Sequence, residues 1–378
     1  MRNALLALLL FPVLLAADDR PIALVNVTVI PMTSETVLSS QTVIARGDRI
    51  VAVGPSKKTK VPKDAIRIEA GGKFVVPGLA EMHGHIPPPT SPPETIESTL
   101  FLYLANGITT VRGMLGHDGQ LELRRKALAR EIDSPTLYLA GPSFNGQSVN
   151  SPEEAVAKAR KQKSEGWDLL KVHPGLTLEE YDAMARTARE VKIRFGGHVP
   201  QDVGLAHAID MGQETFDHLD GFVEYLEGDK GPVDEGKLAY ITQRTVEAGA
   251  WVVPTMALWE TLLCHADLKA LQSYPELRYV PKKQVEQWSA AFQARMANPQ
   301  FDAAVSRQIV ENRMKVLRAL NEGGVKILMG TDAPQQFSRP LVPLFFPDLL
   351  QEQNEFHVFQ RCQHGDKIIS LKNKSNII

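Results

Sequence analysis

The chain reads as an α/β protein, a (β/α)8 TIM-like barrel with a small β module in front of it. From Phe74 onward short apolar strands alternate with amphipathic helices through eight repeats. Before that point the segments are Val/Ile-rich, strand-like and broken by Gly, Pro and Ser. A third observation is placement: His, Lys and Asp fall at the C-terminal ends of the expected strands, the rim on which such barrels carry their chemistry.

The first residues, "MRNALLALLLFPVLLAADDR", combine Arg2, an apolar stretch from Ala4 to Leu15 and the small Ala16 and Ala17. That order is a secretory signal peptide over residues 1–17, so the mature chain is expected to be secreted or periplasmic. The apolar stretch is shorter than the roughly 20 residues of a membrane span, so no stable span is expected. Leu14 or Leu15 three residues before the cut matches the small-residue rule poorly, and a retained N-terminal anchor stays open as the other reading.

Residues 18–73 hold the β module, with "IALVNVTVI", "TVIARG", "RIVAVG" and "AIRIEA" as its strands. The barrel is expected over 74–338, opening with "KFVVPGLAEMH" and closing with "VKILMGTDAP". Helix starts are marked by Ser151 with Pro152 and Glu154, and by Thr177 three residues before Glu180. Gly166, Gly212 and Gly249 mark helix ends, and a helical insertion runs from Leu258 to Phe301. A doubly wound open sheet is the rival fold, but no glycine-rich phosphate loop follows the first strand.

Lys and Arg number 42 against 44 for Asp and Glu, with no long run of either sign. Neither nucleic acid nor an anionic membrane is indicated as a partner; a small neutral molecule fits better. Cys264 and Cys362 are the two cysteines, which excludes a disulfide-built fold and leaves stability to a core.

His83 and His85, spaced two apart on an extended chain, share one face and make a ready metal clamp, although two polar residues in a loop would give the same spacing. Lys171 ends the apolar strand "WDLLKVH", where a lone ammonium is costly to bury. It needs a partner or must cease to be an ammonium. His198 ends "IRFGGHV", His218 lies in "TFDHLDG" and Asp332 in "MGTDAP". Packing alone rarely collects four imidazoles, a lysine and a carboxylate on one rim. His173 shares strand parity with Lys171, and His117 follows the second strand. Tyr225, Arg112 and His173 are candidate substrate contacts, with structural roles open for each.

The combination "VVPGLAEMHGH", "LLKVH", "GGHV", "DHLDG" and "MGTDAP" resembles the metal-dependent amidohydrolase superfamily, in the branch of imidazolonepropionase-like proteins and Xaa-Pro dipeptidases. The resemblance covers roughly Ile22 to Pro334. It implies that the β module is part of a small β-sandwich. It also implies two divalent ions, Zn²⁺ by preference: His83, His85 and Asp332 at the first, His198 and His218 at the second, and a carboxylated Lys171 bridging them. Asp332 would move the proton while a metal-bridging hydroxide attacks an amide carbonyl. The substrate class so implied is a small amide or peptide, a dipeptide or N-acyl amino acid.

Beyond "GTDAPQQFS" the resemblance ends. Residues 339–378 form an atypical tail without the "GxIxxGxxADLVV"-like ending that would return strands to the sandwich, and the C-terminal part reads as truncated or altered. Two alternatives follow: a cyclic-amide hydrolase or deaminase of the same superfamily, and an inactive truncated amidohydrolase.

Overall fold

The computed structural model describes residues 20–34, 36–337 and 368–371. The segment read as a signal peptide, most of the atypical tail and Cys362 lie outside the described residues; Cys264 carries a free thiol. The described residues divide into two compact units between Pro77 and Gly78, with 368–371 belonging to the first. Among them no helix is long and apolar enough to cross a membrane.

In the first unit the strands are β1 (Ile22–Val29), β2 (Leu38–Arg46), β3 (Arg49–Pro55), β4 (Ile66–Glu69) and β5 (Phe74–Pro77). With Ile368–Leu371, the last strand (β14), they make one six-stranded sheet in the order β14-β5-β1-β2-β3, β4 sharing the β1 edge with β5. The sandwich expected here is thus a single sheet among the described residues. The tail, which lacks the family-like ending, supplies a strand among the described residues: Ile368, Ile369, Ser370 and Leu371 pair in parallel with Phe74 to Pro77. The apolar β-formers of "IISL" suit a pleated surface without any family-like ending.

β1 buries residues on both faces, Ala23, Leu24 and Val25 in succession, and its register shifts between Leu24 and Val27, where Asn26 takes a φ of 61°. The extra residue reverses the alternation. Leu24 therefore shares a face with Val27, Val29, Val43 and Val75, while Ala23 and Val25 pack with Ile44 on the other.

The second unit runs β6 (Leu79–Gly84), α1 (Pro93–Ala105), β7 (Ile108–Gly113), α2 (Gln120–Ala129), β8 (Thr136–Leu139), α3 (Pro152–Glu165) and β9 (Leu169–Val172). It continues through α4 (Leu178–Val191), β10 (Arg194–Gly197), α5 (Leu205–Asp210), β11 (Thr215–Asp217), α6 (Phe222–Tyr225), α7 (Glu235–Glu247) and β12 (Trp251–Val253). The helices α8 (Met256–Leu262), α9 (Leu268–Gln272), α10 (Lys282–Met296) and α11 (Ala303–Glu322) then lead to β13 (Lys326–Ile327). "FVVPGLAEMH", read from sequence as one strand, is two. Pro77 and Gly78 end β5, which belongs to the first unit, and β6 starts afresh at Leu79.

All strands of this unit pair in parallel, β6-β7-β8 in one sheet and β9 to β13 in chain order in another. Two parallel bridges, Ala140 to Leu169 and Phe144 to Val172, join the chain after β8 to β9. At the other seam, backbone hydrogen bonds run from Met82 N to Met329 O (2.9 Å), Asp332 N to His83 O (2.8 Å) and His85 N to Ala333 O (2.7 Å). The result is a mixed α/β fold of parallel sheets with helices between strands.

The helix signals read from sequence recur as contacts. Ser151 accepts from Glu154 N at the start of α3, and Thr177 and Glu180 form a reciprocal capping box on α4. Gly166 closes α3 in the left-handed region. The main core, including Leu170, Tyr181, Phe216, Phe222 and Val252, lies between the five-stranded sheet and its helices. The insertion packs on a core of its own around Trp288 and Phe292.

Candidate active site

Each side chain singled out at a strand end is held by the strand before it. His83 lies on β6 and His85 just beyond it, the first 1% and the second 18% exposed. Lys171 stands on β9 and is fully buried. His198 follows β10, His218 follows β11, and Asp332 lies beyond β13. His218 and Asp332 take φ values of 65° and 61°, a region unfavourable for side chains with a Cβ, and both sit where the chain leaves its strand.

The rings form an unbroken row. Centroids are 5.5 Å apart for His85 and His83, 4.4 Å for His83 and His218, 4.6 Å for His218 and His198, and 4.7 Å for His198 and His173. Asp332 lies against one end: its Oδ1 is 2.6 Å from His85 Nε2 and 3.9 Å from His83 Nε2, and its Oδ2 is 3.8 Å from His218 Nδ1. Gln335 Nε2 also donates to Asp332 Oδ1 at 2.6 Å.

Outer partners set how these rings face. His198 Nδ1 lies 2.6 Å from Asp220 Oδ2, and a carboxylate there fixes the proton on Nδ1 and leaves Nε2 with its lone pair. His218 Nδ1 is 2.7 Å from Thr255 Oγ1. The His218 carbonyl accepts from Arg313 of α11, whose guanidinium stacks 3.6 Å from the centre of the Trp259 ring. Burial, then neighbouring cationic groups, holds His83 and His218 well below the usual histidine range. Burial brings His173 down to about 2. Neutral rings offer lone pairs.

Lys171 is pulled down by burial and held up by Asp217 and Asp332. Its Nζ is 3.6 Å from Asp217 Oδ2, outside hydrogen-bond range. Asp217 of β11 is fully buried; burial raises its pKa, but Arg112 and then Lys171 outweigh that and leave it low. Arg112 itself turns inward, donating to Met82 O (2.6 Å), Thr215 Oγ1 (3.1 Å) and Asp217 Oδ1 (3.3 Å). All three contacts are within the protein. Tyr225 is half-buried against the main core at the end of α6. His117 is half-buried and is lowered by burial and by His85.

Glu81 is a further buried acid here. Burial raises it to about 7, and it accepts from His83 N (2.9 Å), Thr331 N (2.9 Å) and Thr331 Oγ1 (2.6 Å), so it ties β6 to the segment carrying Asp332. Neither acid belongs to the set of residues that the strand-end pattern singles out. Glu81 shares the parity of His83 and His85 in "EMHGH" and could have been found that way. Asp217 could not: strand alternation puts it opposite His218, and only the left-handed turn at His218 lets both reach the same cluster.

His83, His85 and Asp332 each offer a ligand atom, and these atoms lie within 4.8 Å of one another. Around them His83 Nδ1, Lys171 Nζ, His173 Nδ1 and Asp217 Oδ2 are buried with no hydrogen-bond partner among the described residues. Orphaned buried polar atoms are costly. Neutral imidazoles beside a carboxylate are the donor set of a divalent transition ion, so the residues fit one.

The space behind His198 is filled by glycine. Gly197 has a φ of 128°, and a Cβ there would lie 2.4 Å from Val172 O and 3.0 Å from Lys171 Cδ. Gly197→Ala is expected to cost about 1–3 kcal/mol and to displace both Lys171 and His198. Thermal unfolding together with metal titration measures the two effects.

Parallel strands whose ends gather imidazoles, a lysine and a carboxylate define a metal-binding hydrolase. Residues 74–368 match the model of the family described as Amidohydrolase family, and the chain belongs to that family. It is accordingly a hydrolase of carbon–nitrogen bonds. No curated protein matches the chain by sequence. Among solved structures it is similar to a Xaa-Pro dipeptidase with bound methionine, at 19% identity and a TM-score of 0.59, covering 83% of this chain and 79% of that one. A bottromycin amidohydrolase is similar at 20% identity and a TM-score of 0.61, over 85% and 71%. A prolidase complexed with N-methylphosphonate-L-proline stands at 19% and 0.59, over 82% and 78%. At these identities the structural likeness concerns the fold.

Proposed function

We propose that the chain hydrolyses the amide bond of dipeptides or N-acyl amino acids at a two-ion site, with β6 to β13 read as a closed eight-stranded barrel. The observation that carries this is the row of imidazoles ending on Asp332, with the buried Lys171 amine behind it. His83, His85 and Asp332 would hold one ion, His198 and His218 the other, and Lys171, once carboxylated, would lie between them. Divalent ions, Zn²⁺ by the match to imidazole and carboxylate, supply Lewis acidity toward the scissile carbonyl and an attacking water. The dipeptidase and prolidase folds among the similar structures support the substrate class.

The protein's own groups account for the proton. Asp332 takes it from the attacking water as the new C–O bond forms and gives it to the departing nitrogen as the C–N bond breaks. Gln335 Nε2 donates to Asp332 Oδ1, which leaves Oδ2 as the oxygen to carry the proton. His173, neutral and with Nδ1 unpaired among the described residues, is placed to hydrogen-bond a substrate polar group. Tyr225 is the weaker candidate. Arg112 serves the interior rather than substrate. Residues 1–17 are read as removed on export, and residues 18–73 as a separate module.

One observation favours the cyclic-amide hydrolase or deaminase reading: the compact His83, His85 and Asp332 group would by itself suit a single ion. Elemental analysis of metal-supplemented protein, run beside a turnover screen on dipeptides, N-acyl amino acids and cyclic amides, separates the two. Two ions per chain with dipeptide or N-acyl turnover are expected. One ion with turnover of cyclic amides alone would replace this reading with the alternative, and folded protein that loads ions but turns over nothing would favour an inactive chain.

A further inference from the structure

Beneath the row of rings lies a charged pair that joins the two parallel sheets. Arg112 stands on β7 of the three-stranded sheet, and Asp217 on β11 of the five-stranded one. The guanidinium uses three nitrogens on two strands: Nε on Met82 O of β6, one terminal nitrogen on Thr215 Oγ1 and the other on Asp217 Oδ1, both on β11. Asp217 is fully buried and Arg112 is 7% exposed. A buried carboxylate without a cation nearby is strongly disfavoured, so the pair stands or falls together.

The second oxygen of Asp217 is not used in that pairing. It lies 2.9 Å from His83 Nδ1, approached off the axis of a hydrogen bond, and 3.6 Å from Lys171 Nζ. One carboxylate therefore touches the base of two proposed ligands, on β6 and on β9, that no backbone pairing connects. A carboxylate held against the far nitrogen of a ligating imidazole sets its ring orientation, here by a close approach rather than a formed hydrogen bond.

We propose that Asp217 is a positioning residue for the metal site, and that Arg112 is the group that keeps it aimed. Asp217 directs His83 so that Nε2 faces the cluster, and Arg112 holds Oδ1 so that Oδ2 stays between His83 and Lys171. The inference rests on the metal-binding reading of His83 and Lys171, and it gives the interior arginine a role away from substrate.

The test is Co²⁺ titration of the full chain, followed by calorimetry and by visible absorption, with a thermal melt of each variant. Asp217→Asn keeps the shape and removes the charge. It is expected to weaken binding about 10- to 100-fold and to change the cobalt spectrum, because the His83 ring is no longer held. Arg112→Met should do the same, and the double variant should be little worse than either single one. Thr215→Val removes one Arg112 contact but leaves Asp217 in place, so its cobalt affinity should stay at the parent value. If Asp217→Asn is too unstable to purify, Arg112→Lys carries the test: it keeps a cation but loses the fork, and its affinity should fall between those of the parent and Arg112→Met. Parent-like affinity and spectrum in Asp217→Asn, or equal affinities in the parent, Arg112→Lys and Arg112→Met, would overturn the inference. Failure of the parent itself to bind cobalt would instead sink the metal-site reading on which it rests.

Discussion

Asp332→Asn is expected to lower kcat by about a hundred- to ten-thousand-fold while most of the bound metal remains. The amide keeps an oxygen where Asp332 Oδ1 meets His85, so the contact at 2.6 Å can survive the change. What it loses is basicity: an amide cannot take a proton from water and return it to nitrogen. Among the described residues the other carboxylates near the rings are engaged elsewhere, Glu81 with Thr331 and the His83 backbone, Asp217 with Arg112 and Asp220 with His198. Steady-state rates on a dipeptide, measured beside metal content, separate the effect from simple ion loss. Retention of most of the kcat with metal bound would move the proton to His173 or His117.

Lys171→Ala should have the second largest effect, on the ions themselves. The side chain is fully buried and its nitrogen has no hydrogen-bond partner among the described residues, an arrangement that packing does not require. Its removal takes away the proposed bridge and leaves a cavity beneath the row of rings. At least one ion per chain should be lost. Added bicarbonate should raise metal loading of the parent and leave the variant unchanged, as expected if the lysine is the group carboxylated. Two ions in the variant, or a bicarbonate response equal to the parent's, would remove Lys171 from the site.

Much of this arrangement was legible because strand ends announce themselves in sequence. A short apolar run ending in His, Lys or Asp marks a rim position, and His83, His85, Lys171, His198, His218 and Asp332 all lie at or just past the strands read for them. The capping residues Ser151 and Thr177 were legible for the same reason, since each acts within three residues of itself. What sequence could not show depends on partners far along the chain. Arg112 has the composition of a substrate contact, and only the placement of Met82, Thr215 and Asp217 turns it inward. The break between β5 and β6 was visible as Pro77 and Gly78, but not the fact that Phe74 to Val76 pair with β1 and β14 instead of continuing toward His83. The strand at Ile368–Leu371 carries no motif, only β propensity, so nothing in the sequence sets it apart from the rest of the tail.

The seam between β6 and the residues after β13 bears on how the protein comes into being. Glu81 and Thr331 are separated by 250 positions, and the backbone bonds from Met82, His85 and Asp332 span a comparable distance. Contacts of such high sequence separation are slow to form, because the chain between them must be ordered or looped before they give anything back. A nascent chain can pair β9 with β10 soon after both have left the ribosome, yet it cannot bring Asp332 to His85 until Asp332 itself has emerged. The site's two ends thus meet only near the close of synthesis, and a chain halted before that point carries His83 and His85 without Asp332.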